Sequence, residues 1–253
     1  MSLVVRDLAV SFGGVAALAG VTFRVEPGTI TSLIGPNGAG KTTAFDAITG
    51  YVRPLRGEIG YGDAVLTGLR PCDIAARGIV RTFQRTSVFA RLTVLDNVLT
   101  GLHLRGTSTL AAILGGSRTV RVEEARLARE AEAILALVGL ADRRGRRAAE
   151  LAGGEQRLLE LAIALAAGPR LLLLDEPAAG LTAAEKLAVI GLIRTIRDRG
   201  VTVLLVEHDM RLVMGVSQHV IVLNGGLVIA EGPPAAVQAS PAVIRAYLGQ
   251  GAR

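Results

Sequence analysis

The chain has 253 residues, half of them apolar, so it can bury the core of one large domain or of a core carrying an inserted subdomain. Aromatic residues make up only 3% and tryptophan is absent, which argues against stacking platforms for single-stranded nucleic acid. The formal charge of +6 comes almost wholly from arginine, Lys41 and Lys186 being the only lysines; such an excess suits polyphosphate, nucleic acid or anionic lipid and does not choose among them.

The single cysteine, Cys72, excludes an intrachain disulfide and fits a reducing compartment. "MSLVVRDLAV" carries charges inside its apolar stretch and does not read as a leader. The richest apolar region, 158–174, is cut by "GPR", too short a run to cross a bilayer. The expectation is a cytosolic chain that does not itself span a membrane.

In chain order, "LVVRDLAV", "VTFRV" and "TITSLI" read as strands, the last running into a glycine loop and a helix over 41–50. The stretch 85–167 lacks strong strand signals. Within it "VEEARLAREAEAILALVGL" predicts a helix with Val122, Ala125, Ile134, Leu135 and Val138 on one face. "GTSTLAAILGGSRT" reads as a mobile or partner-contacting insertion, and "DRRGRR" as a solvated arginine-rich turn. "RLLLLDEP" and "VTVLLVEHD" are nearly continuous apolar runs ending in acids, as in parallel strands buried on both faces, and the helical pattern between them makes a βαβ unit. "HVIVLNGGLVIAEG" predicts a hairpin turning at Asn224-Gly225. The whole is an α/β core interrupted by a helical subdomain.

"GPNGAGKT" is G-x-x-x-x-G-K-[ST] between a strand and a helix, the context in which that pattern binds phosphate. A triphosphate needs many donors at close range, which the loop Gly35, Pro36, Asn37, Gly38, Ala39 and Gly40, through every N–H it has (Pro36 has none), and the following helix start supply in part. Lys41 offers a cation to the outer phosphates, Thr42 a hydroxyl to Mg²⁺, and Thr43 a further donor. Asp175, ending an apolar strand, suits the water-mediated Mg²⁺ carboxylate of such sites. Glu176, one residue on, suits the base that orients or deprotonates the attacking water. His208, at a second strand end, can reach the γ-phosphate.

"GPNGAGKTT", "RTFQ", "LAGGEQ", "LLLLDEP" and "VEHD" occur in the order and approximate spacing of ABC-transporter ATPase subunits, which the chain resembles over essentially its whole length. The resemblance implies a P-loop NTPase fold with a RecA-like core, an N-terminal antiparallel β subdomain and an inserted helical subdomain, the core taking 1–84 and 168–253 and the insert 85–167. It implies that ATP and Mg²⁺ are bound, that Gln84 touches Mg²⁺ and water, and that Phe12 stacks on adenine. It also implies that Ala152, Gly153, Gly154 and Glu155 close over the γ-phosphate held by a second ATPase subunit, head to tail. Ala152 stands where serine is common, and Thr182 where the D-loop usually has aspartate.

"RTFQRTSVFARLTVLDNVLTGLH", "DEPAAGLT" and "SPAVIRAYLG" look like the ATPase subunits of branched-chain amino acid importers. That likeness implies transmembrane permease partners, an extracytoplasmic substrate-binding protein met only indirectly, and a peripheral place on the cytoplasmic face of the inner membrane. Relatives of that kind also serve urea, amides or lipopolysaccharide export. From another class, a DNA-repair or translation ATPase shares the same head, but the chain has neither long coiled-coil insertions nor tandem heads, and no nucleic acid partner is expected. A small-molecule kinase would lack the "LAGGEQ" stretch.

Overall fold

A computed structural model describes residues 1–83, 88–102 and 118–248. They divide into two compact units, one of 1–81, 170–179 and 193–253, the other of 82–169 and 180–192.

The first unit holds two sheets. Strands β1 (Leu3–Phe12) and β2 (Val15–Val25) form a long hairpin, and β4 (Arg56–Tyr61) and β5 (Ala64–Val65) extend it into an antiparallel sheet ordered β2-β1-β4-β5. The second sheet has six strands: β3 (Ile30–Ile34), β6 (Ile79–Arg81), β7 (Leu171–Asp175), β8 (Thr202–Val206), β9 (His219–Asn224) and β10 (Leu227–Gly232), in the order β10-β9-β3-β8-β7-β6. All are parallel except β10, which returns antiparallel to β9. β3, β7 and β8 are buried at every residue, as the nearly continuous apolar runs of β7 and β8 predict; β3 buries Thr31 and Ser32 as well.

Because strand side chains alternate, the sheet feeds two cores. Leu33, Leu173, Leu204, Ile221 and Leu223 join Phe45 and Ile48 of helix α1 (Lys41–Ile48) and the inner face of the antiparallel sheet. Ile34, Val220 and Val222 face the other way, where they meet Val213, Val237 and Val243 of the C-terminal helices.

The β9–β10 turn is Gly225-Gly226, one residue later than expected, with Asn224 still paired to Leu227. A two-residue loop of this kind needs positive φ at both central positions, and the glycines supply 54° and 75°. β2 begins six residues before "VTFRV", since the hairpin with β1 turns at Gly13-Gly14.

In the second unit, following helix α2 (Pro71–Ala75) of the first, come α3 (Val94–Leu102), α4 (Arg118–Leu137) and α5 (Gly153–Ala166); α6 (Ala183–Asp198) starts here. Buried Asn97 ties α3 to its approach by accepting from the Phe89 N–H and donating to the Phe89 and Thr93 carbonyls. Of the face expected for α4, Leu135 and, just past the helix end, Val138 are buried together with Ala131, but Ala125 is exposed and Val122 is 62% exposed. At about 100° per residue, nine residues put Val122 opposite Ala131. The "DRRGRR" turn is not merely solvated, because Arg143 and Arg144 pair with Glu155 and Glu132. Helices α7 (Met210–Val216), α8 (Pro234–Gln238) and α9 (Pro241–Leu248) complete the first unit. Among the described residues no helix is long and apolar enough to cross a membrane.

Candidate functional site

The carboxyl ends of β3, β6, β7 and β8 share one edge of the parallel sheet, the edge at which such folds bind ligands. β3 runs into the loop Gly35–Gly40, whose last residue caps α1. The loop is wedged between two neighbours. A Cβ on Gly35 would collide with the Leu223 carbonyl, and one on Gly40 would lie 2.6 Å from the Ala17 carbonyl oxygen. Gly38 has open space around it and needs only its positive φ of 78°. Pro36 and Ala39 are buried, while Asn37 and Gly38 face solvent. The first N–H groups of α1, those of Lys41, Thr42 and Thr43, precede the first intrahelical bond, Ala44 N–H to Gly40 O, and are left to bind an anion.

Lys41 is buried, its Nζ donating to the Gly35 and Pro36 carbonyls at 2.8 and 3.0 Å. That burial lowers its pKa, against the opposing pull of Glu176 and then Asp175. Asp175 ends β7 with its side chain only 2% exposed, and its Oδ2 accepts from Arg81 at 2.9 Å. Desolvation raises the Asp175 pKa, and the Arg81 guanidinium opposes the shift. The Thr42 hydroxyl is exposed and makes no hydrogen bond among the described residues. A threonine hydroxyl and an aspartate carboxylate are hard oxygen donors, the set that suits Mg²⁺ beside phosphate. No group of three or more His, Cys, Asp or Glu residues able to hold a metal occurs among the described residues.

Glu176 leaves the strand with φ 50°, in the left-handed region, so its side chain diverges from that of Asp175. Such a conformation costs a non-glycine residue about 1–2 kcal/mol. Its N–H still donates to Val206 O, and its Oε1 lies 2.6 Å from Nε2 of His208. The carboxylate therefore faces the imidazole.

"EHD" divides three ways. Buried Glu207 accepts from the N–H of Ala178 at 2.9 Å and of His208 at 3.1 Å, fixing the segment after β7 to the one after β8. His208 holds Glu176. Asp209 caps α7, accepting from the Arg211 and Leu212 N–H groups. Phe12 stands at the end of β1, 53% exposed, in the hairpin whose second strand carries the Ala17 carbonyl against Gly40. Gln84 lies outside the described residues, as does most of the insertion over 106–119.

In the second unit Ala152 holds the N-cap position of α5 with extended angles, φ −62° and ψ 158°. It has no oxygen to give. Only the return bond of a capping box forms: Glu155 Oε2 accepts from the Ala152 N–H at 3.1 Å, and Oε1 accepts from Arg143 at 2.9 Å. Gly153 has nothing near its Cβ position, whereas a Cβ on Gly154 would strike the Glu185 carboxylate. Glu185 in turn completes a full capping box on α6: it accepts from the N–H and hydroxyl of Thr182 at 2.8 and 2.7 Å and donates its own N–H to Thr182 Oγ1 at 3.4 Å. Thr182 thus has a local reason to be threonine, and "TAAE" is a sequence signature for it that the comparison with aspartate hides. Arg81 and Glu207 carry no such signal; only the fold brings their partners to them.

The ABC transporter profile matches residues 18–179, and that of the branched-chain amino acid ATP-binding cassette transporter matches 228–253. The chain is 41% identical to the high-affinity branched-chain amino acid transport ATP-binding proteins BraF of Pseudomonas aeruginosa and LivG of Escherichia coli K12, each over 98% of both chains. Its fold superimposes with a TM-score of 0.86 on the ADP conformation of MJ1267, an ATP-binding cassette of an ABC transporter, at 31% identity over 98% of this chain and 99% of that one. A nucleotide-free cassette from an ABC transporter gives 0.85 at the same identity, over 98% and 99%. These likenesses bear out the P-loop α/β fold and ATPase-driven transport expected from the motifs. The chain belongs to the ABC transporter family, as one of its ATP-binding cassettes.

Proposed function

We propose that this chain powers import of branched-chain amino acids, as one of two ATPase subunits paired head to tail beneath transmembrane permeases on the cytoplasmic face of the membrane. The two units are, on this reading, the catalytic core and the helical subdomain of a single ATPase domain. The substrate follows from the kinship to BraF and LivG, and the C-terminal profile match supports it. The substrate-binding protein outside the membrane meets this chain only through the permeases, and nucleic acid takes no part.

The observation that carries the catalytic reading is the Glu176–His208 contact of 2.6 Å beside a P-loop lysine on which both strand-end carboxylates bear. The N–H groups of Gly35 and of Asn37 to Thr43 cradle the triphosphate, Lys41 neutralises its outer oxygens and Phe12 stacks on the adenine. Thr42, Asp175 and Gln84 would hold Mg²⁺, whose charge would offset that of the triphosphate. Glu176 takes a proton from the attacking water, with His208 donating to its carboxylate and fixing its direction. Gly153, Gly154 and Glu155 offer the backbone N–H groups of a helix start, with Ala152 before them, to the γ-phosphate held by the partner subunit.

Glu176→Gln should bind ATP with unchanged affinity, hydrolyse it about 10²–10⁴-fold more slowly, and accumulate as a nucleotide-bound dimer on size exclusion. Normal turnover by that variant overturns the assignment. Mild detergent extraction should bring down a permease pair, and vesicles carrying the assembled complex should take up leucine or valine when ATP is inside. Ribosomes or DNA in place of permeases would replace the transport reading.

A further inference from the structure

Arg81 opens "RTFQ", a stretch read for its glutamine alone, yet it joins the two elements that carry the proposed metal ligands. It is the last residue of β6, the edge strand beside β7, and its side chain is 5% exposed. Nη2 donates to Asp175 Oδ2 at 2.9 Å; Nη1 donates to Asp46 Oδ1 at 2.5 Å and reaches Thr49 Oγ1 at 3.5 Å. The guanidinium carbon stands 5.3 Å from the centre of the Phe45 ring. Asp46, Thr49 and Phe45 all belong to α1, the helix that begins with Lys41 and Thr42. One planar cation therefore links the P-loop helix to the strand end at Asp175.

We infer that Arg81 is a positioning residue for the metal carboxylate, fixing Asp175 relative to the P-loop helix so that Asp175 and Thr42 present their oxygens to the same Mg²⁺. This rests on the reading of Asp175 as a Mg²⁺ residue. The geometry calls for arginine specifically. Its separate Nη groups satisfy carboxylates on two different elements at once, and its flat face lies over an aromatic ring; a lysine ammonium has the charge but not the fork. Removing the cation altogether takes away the charge that Arg81 sets between the buried Asp175 and Asp46, and the carboxylate then has reason to turn. Residues that orient metal ligands in this way are worth about 10–100-fold in metal affinity.

The test uses a fluorescent ATP analogue on the full chain, bound first in EDTA and then titrated with Mg²⁺. Arg81→Lys, Arg81→Met and Asp46→Asn should bind the analogue in EDTA within about twofold of wild type, because the P-loop is untouched. The Mg²⁺ midpoint should rise about 10–100-fold for both Arg81 variants and less for Asp46→Asn, which breaks the link to α1 but spares the pair with Asp175. Asp175→Asn is the reference. If it raises the Mg²⁺ midpoint while Arg81→Lys and Asp46→Asn do not, the Arg81 inference is wrong and the arginine is only a structural ion pair. If Asp175→Asn leaves the midpoint unchanged, the metal reading of Asp175 has failed and the inference falls with it. Arg81→Lys keeps all three charges of the cluster and Asp46→Asn keeps Arg81 paired with Asp175, so the test survives if Arg81→Met does not fold.

Discussion

Ala152→Ser should make the free protein more stable, by an amount the structure allows to be worked out. Two helices of the second unit start with the same design, and only one is complete. At α6 the Thr182 oxygen and the Glu185 carboxylate satisfy each other's backbone N–H groups. At α5 the Glu155 half is present, anchored by Arg143, but Ala152 offers nothing to the Glu155 N–H. The backbone at 152 already has N-cap angles, and Glu155 is already held, so a serine hydroxyl would gain its bond without ordering anything else. An N-cap oxygen is worth about 1 kcal/mol, within a range of about 0.5–2. In a chain of this size that is a rise of about 2–4 °C in Tm. Thermal melts followed by circular dichroism would read it, with hydrogen exchange at the Glu155 amide as the local check. Thr182→Ala, run beside it, should lower Tm by a similar amount. If Ala152→Ser leaves Tm unchanged or lowers it while Thr182→Ala destabilises, the half-box account of α5 is refuted, and a serine at this position acts only on bound nucleotide.

The left-handed backbone at Glu176 predicts an order of stability unrelated to activity: Glu176→Gly and Glu176→Asn should melt at or above wild type, and Glu176→Val about 1–2 kcal/mol below the glycine variant, all three failing to hydrolyse ATP. Gly101→Ala should cost about 1–3 kcal/mol in a denaturant melt, because its Cβ would sit 2.5 Å from the Ile163 carbonyl oxygen and 2.8 Å from the Ala166 methyl where α3 crosses α5. Glu155 is held below the usual carboxyl range first by its bond from Arg143, and Glu185 by its bonds from Thr182. Depressed acids contribute stability above their unfolded pKa and lose it as pH falls through the folded value. Tm should therefore drop as pH falls below about 4.5, and Glu155→Gln with Glu185→Gln should flatten that limb; an acid limb as steep as wild type would count against it.

The phosphate loop and the two strand-end acids are legible because a contiguous run of residues makes each of them, with the strand and helix on either side as context. The sheet is legible for the same reason, since the unbroken runs "LLLL" and "VLLV" within β7 and β8 have no polar residue to place outward. Arg81 is not, because its partners lie 35 and 94 residues away and only the pairing of β6 with β7 makes them neighbours. Glu207 reads as one acid in a row of three until the fold sets the Ala178 amide against it. The α4 face is legible only at its carboxyl end, where Leu135 and Val138 are buried and Val122 is not, because alanine-rich helices offer several faces of nearly equal apolarity and the packing partner selects among them. Ala152 shows a different limit: as a departure from a common serine it suggests a lost phosphate contact, while the coordinates show a lost helix cap as well.

The last turns of the chain are masonry rather than trim. Val237 and Val243 roof the side of the sheet formed by Ile34, Val220 and Val222, and Ile34 is the residue immediately before the phosphate loop. Cutting the chain ahead of Val237 for crystallisation or fusion would leave that side of the sheet wet and the footing of the loop unsupported, so tags belong at the amino terminus or beyond Arg253.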